Sequence, residues 1–281
     1  MIRIIPKLEI KGPNLVKGIQ LEGLRVLGKP WEFAKFYFEN GADELIYQDV
    51  VASLYGRSCL KYIIEKTAKE IFIPLTVGGG IRSIADIENI LHSGADKVSI
   101  NTMAVTSPSL IKESVKTFGS STIVVSIEYL KVSDSSYYVF TDSGRENTRL
   151  DIMDWIKKIQ DFGVGEVVLT SIERDGTGKG FDIELINKIK DNINIPLIIN
   201  GGAGEFSDIE KIYNISGVDG VALGSILHYS FAIKQSYSDD HYNSEGNIDF
   251  VKTNKKYNKF GDVDIRSIKN YLSKKGYECR I

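Results

Sequence analysis

Short apolar runs alternate along this chain with longer amphipathic stretches. The runs are rich in Ile and Val, which suits buried strands, whereas apolar spacings of three and four between them suit helices. Ile4–Ile10 reads as a strand. Leu15–Pro30, rich in Gly and polar residues, reads as a long loop. Trp31–Asn40 reads as a helix, with Gly41 as its C-terminal cap. Glu44–Val50 is then a strand and Arg57–Ile71 a helix. Leu75–Val77, Ile84–His92, Lys97–Ile100 and Pro108–Phe118 continue the alternation. A second series starts at Thr122–Glu128 and is interrupted by an excursion, Tyr129–Arg149, with a hairpin pairing through Tyr137–Thr141. Helix Asp151–Phe162, strand Glu166–Ser171, helix Ile183–Asn192, strand Leu197–Asn200, helix Phe206–Ile215 and strand Gly220–Leu223 complete it.

The pattern occurs twice. Ile73–Thr102, IPLTVGGGIRSIADIENILHSGADKVSINT, recurs as Ile195–Ser225, IPLIINGGAGEFSDIEKIYNISGVDGVALGS. Each copy reads strand, glycine loop, helix, Gly-X-Asp, strand, small polar residue. A period of about half the chain is too long for a solenoid. It predicts one domain over 1–281 made of two half-barrels, about 1–120 and 121–281. Eight β/α units in 281 residues fit a closed (β/α)8 TIM barrel, with its active site at the C-terminal strand ends. A doubly wound sheet is the competitor, but two equal halves close more naturally into a ring. The last unit is unusual. A polar, tyrosine-rich insertion, Tyr229–Asp262, with a Lys/Asn run at Lys252–Lys259, precedes a final helix at Val263–Lys275. Loops this long are functional or disordered, and both readings stay open.

With 42% hydrophobic and 26% charged residues the composition is that of an ordinary globular protein. A net charge of −2 gives no bulk attraction to nucleic acid or a membrane surface. The N-terminus MIRIIPKLEIKG has no apolar h-region and no run is long enough to span a bilayer, so a cytoplasmic chain is expected. Cys59 and Cys279 lie far apart and match no ligand spacing. With neither CxxC nor HExxH present, no metal or cofactor is expected.

The repeat organises the candidate chemistry. Gly79–Gly80 and Gly201–Gly202 end strands ahead of helices, where backbone N–H groups can point at an anion. Asn101–Thr102 and Gly224–Ser225 end the next strands. Two such sites across a barrel suit a substrate with a phosphate at each end, although tight strand–helix turns alone would also use these glycines. Glu9 aligns with Glu128, each at the end of a strand that opens one half. Facing carboxylates can act as acid and base if their environments differ; solvated strand-end glutamates are the plainer reading. Glu44 aligns with Glu166 at the N-terminal starts of the second and sixth barrel strands. With Arg3 and Lys97 they would form a ring of two acids and two bases at the bottom, since buried charges must pair. Such a ring could be a purely structural plug.

The segments IIPKLEIKGPNLVKG, GADELIYQDVVAS, IPLTVGGGI, GADKVSINT, YYVFTDSGRENT, GEVVLTSIERDGTGKGFD and DVDIRSIKNYLSKKG together resemble the cyclase subunit of imidazole glycerol phosphate synthase over nearly the whole chain. The resemblance implies a barrel that docks a glutaminase subunit on its N-terminal face. Ammonia would pass a salt-bridged gate and meet a bisphosphorylated ribulosyl substrate at the top, giving imidazole glycerol phosphate and an aminoimidazole carboxamide ribotide. It implies Arg3, Glu44, Lys97 and Glu166 as the gate, Asp96 as a docking residue and Lys17 as the lysine of a mobile first loop. Gly79, Gly80, Asn101, Thr102, Gly201, Gly202, Gly224 and Ser225 would bind phosphate, and Thr170, Ser171 and Asp175 would border the site.

The departures are specific. Glu9 and Glu128 stand where the family has two catalytic aspartates, and Glu173 also stands for an aspartate. Lys7 replaces a small residue, and GPN replaces Asp-Gly-Arg in the first loop. Glutamate has nearly the same reference pKa, but its head lies one methylene, roughly 1.5 Å, further out. A misplacement near 1 Å can cost about a hundredfold. Two readings follow: a working cyclase with Glu9 and Glu128 as acid and base, or an ammonia-conduit paralogue serving a sugar amidotransferase in surface-glycan synthesis. A single-chain sugar-phosphate isomerase is disfavoured, since it needs no gate.

Overall fold

The computed structural model of the chain describes residues 1–52, 60–134, 136–234 and 260–280. Along strand β1 (Arg3–Lys11) the period of two sorts the side chains. Ile4, Leu8 and Ile10 join the large core between strands and helices. Ile5 instead joins a small separate cluster with Ile46, Val124, Val168, Ile198 and Ala222. These residues come from different strands and form an apolar layer inside a ring. Arg3, Lys7 and Glu9 share the inward face of β1 with Ile5.

Strands β2 (Asn14–Ile19) and β3 (Glu22–Gly28) form an antiparallel hairpin on β1. Then come β4 (Leu45–Asp49), β5 (Leu75–Gly78), β6 (Lys97–Ile100) and β7 (Ile123–Lys131). Strands β8 (Tyr137–Thr141) and β9 (Glu146–Asp151) form a second hairpin, on β7, before β10 (Glu166–Ser171), β11 (Leu197–Asn200) and β12 (Gly220–Leu223). Eight of these run parallel in the order β1-β4-β5-β6-β7-β10-β11-β12, and β12 pairs with β1 to close a (β/α)8 barrel. Opposite members of the ring are β1 and β7, β4 and β10, β5 and β11, β6 and β12. These are the pairs that the sequence repeat aligns.

The helices cover the outside for ordinary reasons. In Ile152–Asp161, Ile152, Trp155, Ile156 and Ile159 form one buried stripe, and the Asp151 side chain accepts from the N–H groups of Met153 and Asp154. Among the described residues no helix is long and apolar enough to cross a membrane.

Three expectations change. The segment Leu15–Pro30 is not a loop but the β2–β3 hairpin, with Pro30 opening helix Pro30–Glu39. Ile19 pairs with Glu22, so the turn is Gln20–Leu21, with φ of 53° and 63°. Asn-Gly usually marks such a left-handed turn; here neither residue announces it. Tertiary contacts hold it instead: the Gln20 N–H donates to the Asp175 carbonyl, and Leu21 packs on Phe140 and Ile172. Second, Tyr229 does not begin an insertion, because helix Ser225–Lys234 follows β12 directly. Residues 235–259, including Lys252–Lys259, lie outside the described residues. The flanks meet, with Ser230 donating to Asp262 and accepting from the Val263 N–H, ahead of a final helix Ile265–Lys274. Third, the helix expected over Arg57–Ile71 ends at Thr67; its described part is Leu60–Thr67, and Arg57 and Cys59 lie outside the described residues.

Candidate active site

Four charged residues close a ring at the N-terminal ends of the barrel strands. Arg3 donates to Glu44 Oε1 at 2.6 Å and to Glu166 Oε1 at 2.7 Å. Lys97 donates to Glu44 Oε2 and Glu166 Oε2, each at 3.2 Å. Every carboxylate oxygen of the ring has a cation. Burial alone would lower the Arg3 guanidinium, but the two glutamates outweigh it and hold it above its ordinary value. Asp96 is exposed on the same face, where its side chain accepts from the Leu75 N–H at 2.8 Å.

The C-terminal end is built differently. Glu9, on β1, is 2% exposed, and its Oε1 accepts from Lys17 Nζ at 2.6 Å. Lys17, on β2, also donates to Asp175 Oδ2 at 2.7 Å. The hairpin thus folds over the mouth, and the bond from Gln20 to Asp175 pins it to the loop after β10. Opposite, on β7, Glu128 is buried and has no salt bridge among the described residues. Burial pushes its carboxyl up to about 7, against the lowering effects of the Lys7 ammonium and the Gly144 N–H. Glu9 Oε2 and Glu128 Oε2 are both buried without a hydrogen-bond partner among the described residues. Buried acceptors left open are costly, and both belong to the acids that the repeat pairs.

The glycine loops flank these acids from opposite sides. Gly79 and Gly80 follow β5 with φ of 108° and 71°, and a Cβ on Gly79 would stand 2.4 Å from the Asp49 carbonyl oxygen. No other residue fits that approach. They border a cleft at the mouth of the barrel with Asn101, Thr102 and Glu128. Gly201 and Gly202 follow β11, where a Cβ on Gly202 would meet the Gly180 carbonyl oxygen at 2.1 Å. Beyond β12, Gly224 leads into the helix that Ser225 opens, and Ser225 Oγ is buried without a partner among the described residues. An open hydroxyl next to Gly224 at the start of a helix suits an anion. Thr170 and Ser171 end β10; Thr170 Oγ1 accepts from Asn200 at 3.2 Å.

Several lining residues escaped the sequence reading. Gln48, Asp49, Arg82, Asp142 and Ser143 face the first cleft. The repeat held a signal for two of them: aligning Glu44 with Glu166 sets Gln48–Asp49 opposite Thr170–Ser171. Asp49 is buried, which raises its carboxyl against the N–H bonds from Val51 and Ala52. Asp142 and Ser143 reach the cleft from the turn of the β8–β9 hairpin, where Thr102 bonds to Asp142. Glu173 supplies only its backbone carbonyl, to Gln20.

Residues 3–232 match the family model of the histidine biosynthesis protein. The imidazole glycerol phosphate synthase subunit HisF of Legionella pneumophila is 51% identical over 207 residues, covering 74% of this chain and 98% of that protein. The protein of the same name from Saccharolobus solfataricus is 41% identical over 279 residues, covering 99% and 98%. The one from Bacillus cereus G9842 is 44% identical over 234 residues, covering 83% and 93%. The closed barrel with its doubled glycine loops therefore has a family to go with it: the chain belongs to the histidine biosynthesis proteins, among the HisF cyclase subunits of imidazole glycerol phosphate synthase.

Proposed function

We propose that this chain carries out the cyclase step with Glu9 as principal acid–base residue and Glu128 as its partner. The substrate is the bisphosphorylated ribulosyl compound. Its two phosphates sit at the Gly79–Gly80 and Gly201–Gly202 loops, assisted by Asn101, Thr102, Gly224 and Ser225. Ammonia comes from a glutaminase subunit docked on the N-terminal face near Asp96, through the Arg3–Glu44–Lys97–Glu166 ring. Products are imidazole glycerol phosphate and aminoimidazole carboxamide ribotide. Lys17 holds Glu9 and Asp175 in place, and Thr170 and Ser171 border the site.

One observation carries this reading. The two acids that the repeat pairs each keep an unpartnered carboxylate oxygen, and they lie between two glycine loops on opposite sides of the ring. A proton can be taken or given only by an atom not already committed. The added methylene of each glutamate is tolerated if the carboxylate is anchored, and at Glu9 the 2.6 Å bond from Lys17 supplies an anchor. Family membership favours the cyclase over the ammonia-conduit paralogue of glycan synthesis.

The experiment supplies an ammonium salt with the ribulosyl substrate and follows product formation. Turnover is expected, and Glu9→Gln lowers it by about 10²-fold or more. No turnover from the chain, nor from the Glu9→Asp, Glu128→Asp double variant, would overturn the assignment.

A further inference from the structure

Lys7 belongs to neither charge network. Its side chain is 5% exposed, and it stands where the family resemblance leads one to expect a small residue. On the inward face of β1 it lies one step above the Ile5 layer and one step below Glu9. It faces the same small cavity as Glu9 and Glu128, with Gln48 and Arg145 on the rim. Its backbone is braced. The Lys7 carbonyl bonds His228 Nε2 at 2.8 Å, and His228 Nδ1 bonds the Tyr37 hydroxyl at 2.7 Å. Burial holds that imidazole down at about 3, so it is neutral and Nε2 donates to the carbonyl while Nδ1 accepts from Tyr37.

The charge balance at the mouth calls for such a group. Lys17 is already shared between Glu9 and Asp175, at 2.6 and 2.7 Å. Glu128 would otherwise be a buried carboxylate beside two others, with one backbone N–H for support. Such a group stays protonated unless a cation lies near. We propose that Lys7 is a positioning residue for the acid–base pair: its ammonium, lining the same small cavity as Glu9 and Glu128, is the counter-charge that lets Glu128 ionise while Glu9 stays tied to Lys17. This rests on the reading of Glu9 and Glu128 as that pair.

The surroundings agree. Glu128 is faced by Lys7 and Glu9 from β1 and by Asp175 from the loop after β10, while Lys17 from β2 is bonded to Glu9 and Asp175. Asp142 and Arg145 face it from the β8–β9 hairpin, and Asp49 and Arg82 from across the cleft. Among these charges Lys7 acts on it most strongly, and Glu9 and Asp175 oppose Lys7. An apolar or small residue at this position would leave Glu128 uncharged near neutrality. It could then donate a proton but not accept one.

The test titrates the full chain, ¹³C-labelled at the glutamate carboxyls, by NMR, with the Glu128 signal identified by its absence in Glu128→Gln. The Glu128 inflection is expected near 7. In Lys7→Met it moves upward by about one pH unit, as removal of a nearby opposite charge requires. In Lys7→Arg, which keeps the charge, it stays close to the native position. An unchanged inflection in Lys7→Met overturns the proposal. So does an equal shift in Lys7→Arg, which would mean that packing and not charge is felt. The ammonium-dependent pH–rate profile is then recorded for each variant. A carboxyl shift without turnover in any of them would sink the cyclase reading yet leave the Lys7 coupling standing.

Discussion

The two ends of the barrel are both lined with buried charge, and they are completed in opposite ways. At the N-terminal end two acids meet two bases, and four bonds of 2.6–3.2 Å use every carboxylate oxygen. At the C-terminal end Glu9, Glu128 and Asp175 face Lys7 and Lys17, and one oxygen on each glutamate stays open. A satisfied network has no capacity left for chemistry; it can only hold together or part. An unsatisfied one sits at a cost that a substrate or a proton relieves. The same residue types are thus fully paired at one end and left with open acceptors at the other, and what separates them is the count of partners.

The most damaging way to break this comparison is at Lys17, whose side chain is 2% exposed. Lys17→Met leaves Glu9 and Asp175 buried without their shared cation. The expected loss is about 3–5 kcal/mol, the usual cost of stripping one partner from a buried pair. Urea denaturation at neutral pH reads it. A loss below about 1 kcal/mol, the level of an exposed pair, would mean that water reaches the mouth freely and that the two ends are alike.

Glu128 offers a test of opposite sign. Its carboxyl titrates near 7 in the folded chain, against an ordinary value of 4.5. Between these values the folded state holds the proton more tightly than the unfolded one, so stability falls as pH rises through the window, and the loss is complete above it. Glu128→Gln removes that titration. The variant is expected to be more stable than the native chain at pH 8, by about 1–3 kcal/mol, and no more stable at pH 4.5. Glu166→Gln, in the satisfied ring, is expected to destabilise instead. If both variants shift stability in the same direction across the pH range, partner count does not distinguish the two ends.

How far the sequence foretold this contrast depended on whether partners were local or brought together by folding. Glu44 and Glu166 could be placed at the bottom because each opens a strand and the repeat aligns them. The glycine loops were legible for the same reason. The bridge from Lys17 to Asp175 spans 158 positions, and it exists because the β2–β3 hairpin closes over the mouth. The sequence of that hairpin reads as a loop because Gln20 and Leu21 make a turn without turn residues, held from outside by Asp175, Phe140 and Ile172. Asp142 and Ser143 were missed because a hairpin on β7 brings them beside Thr102. Lys7 is visible in the sequence as a substitution, and the period of two along β1 places it on the inward face with Glu9.

The gentlest probe is Lys97 in the ring, whose side chain is 19% exposed and bonds each glutamate at 3.2 Å, longer than the Arg3 contacts. Arg3 still holds one oxygen of each glutamate when Lys97 is removed, so the ring opens without either acid losing all support. Partial exposure screens the remaining charge. Lys97→Met is therefore expected to cost only about 1 kcal/mol of stability. If the ring is the passage for ammonia and the chemistry proposed at Glu9 and Glu128 lies beyond the apolar layer of Ile5 and Val168, its opening changes delivery more than chemistry. Glutamine-dependent turnover with the glutaminase partner should then fall further than turnover supported by ammonium salt, which can enter at the mouth. Equal losses with both nitrogen sources would leave the ring a structural plug.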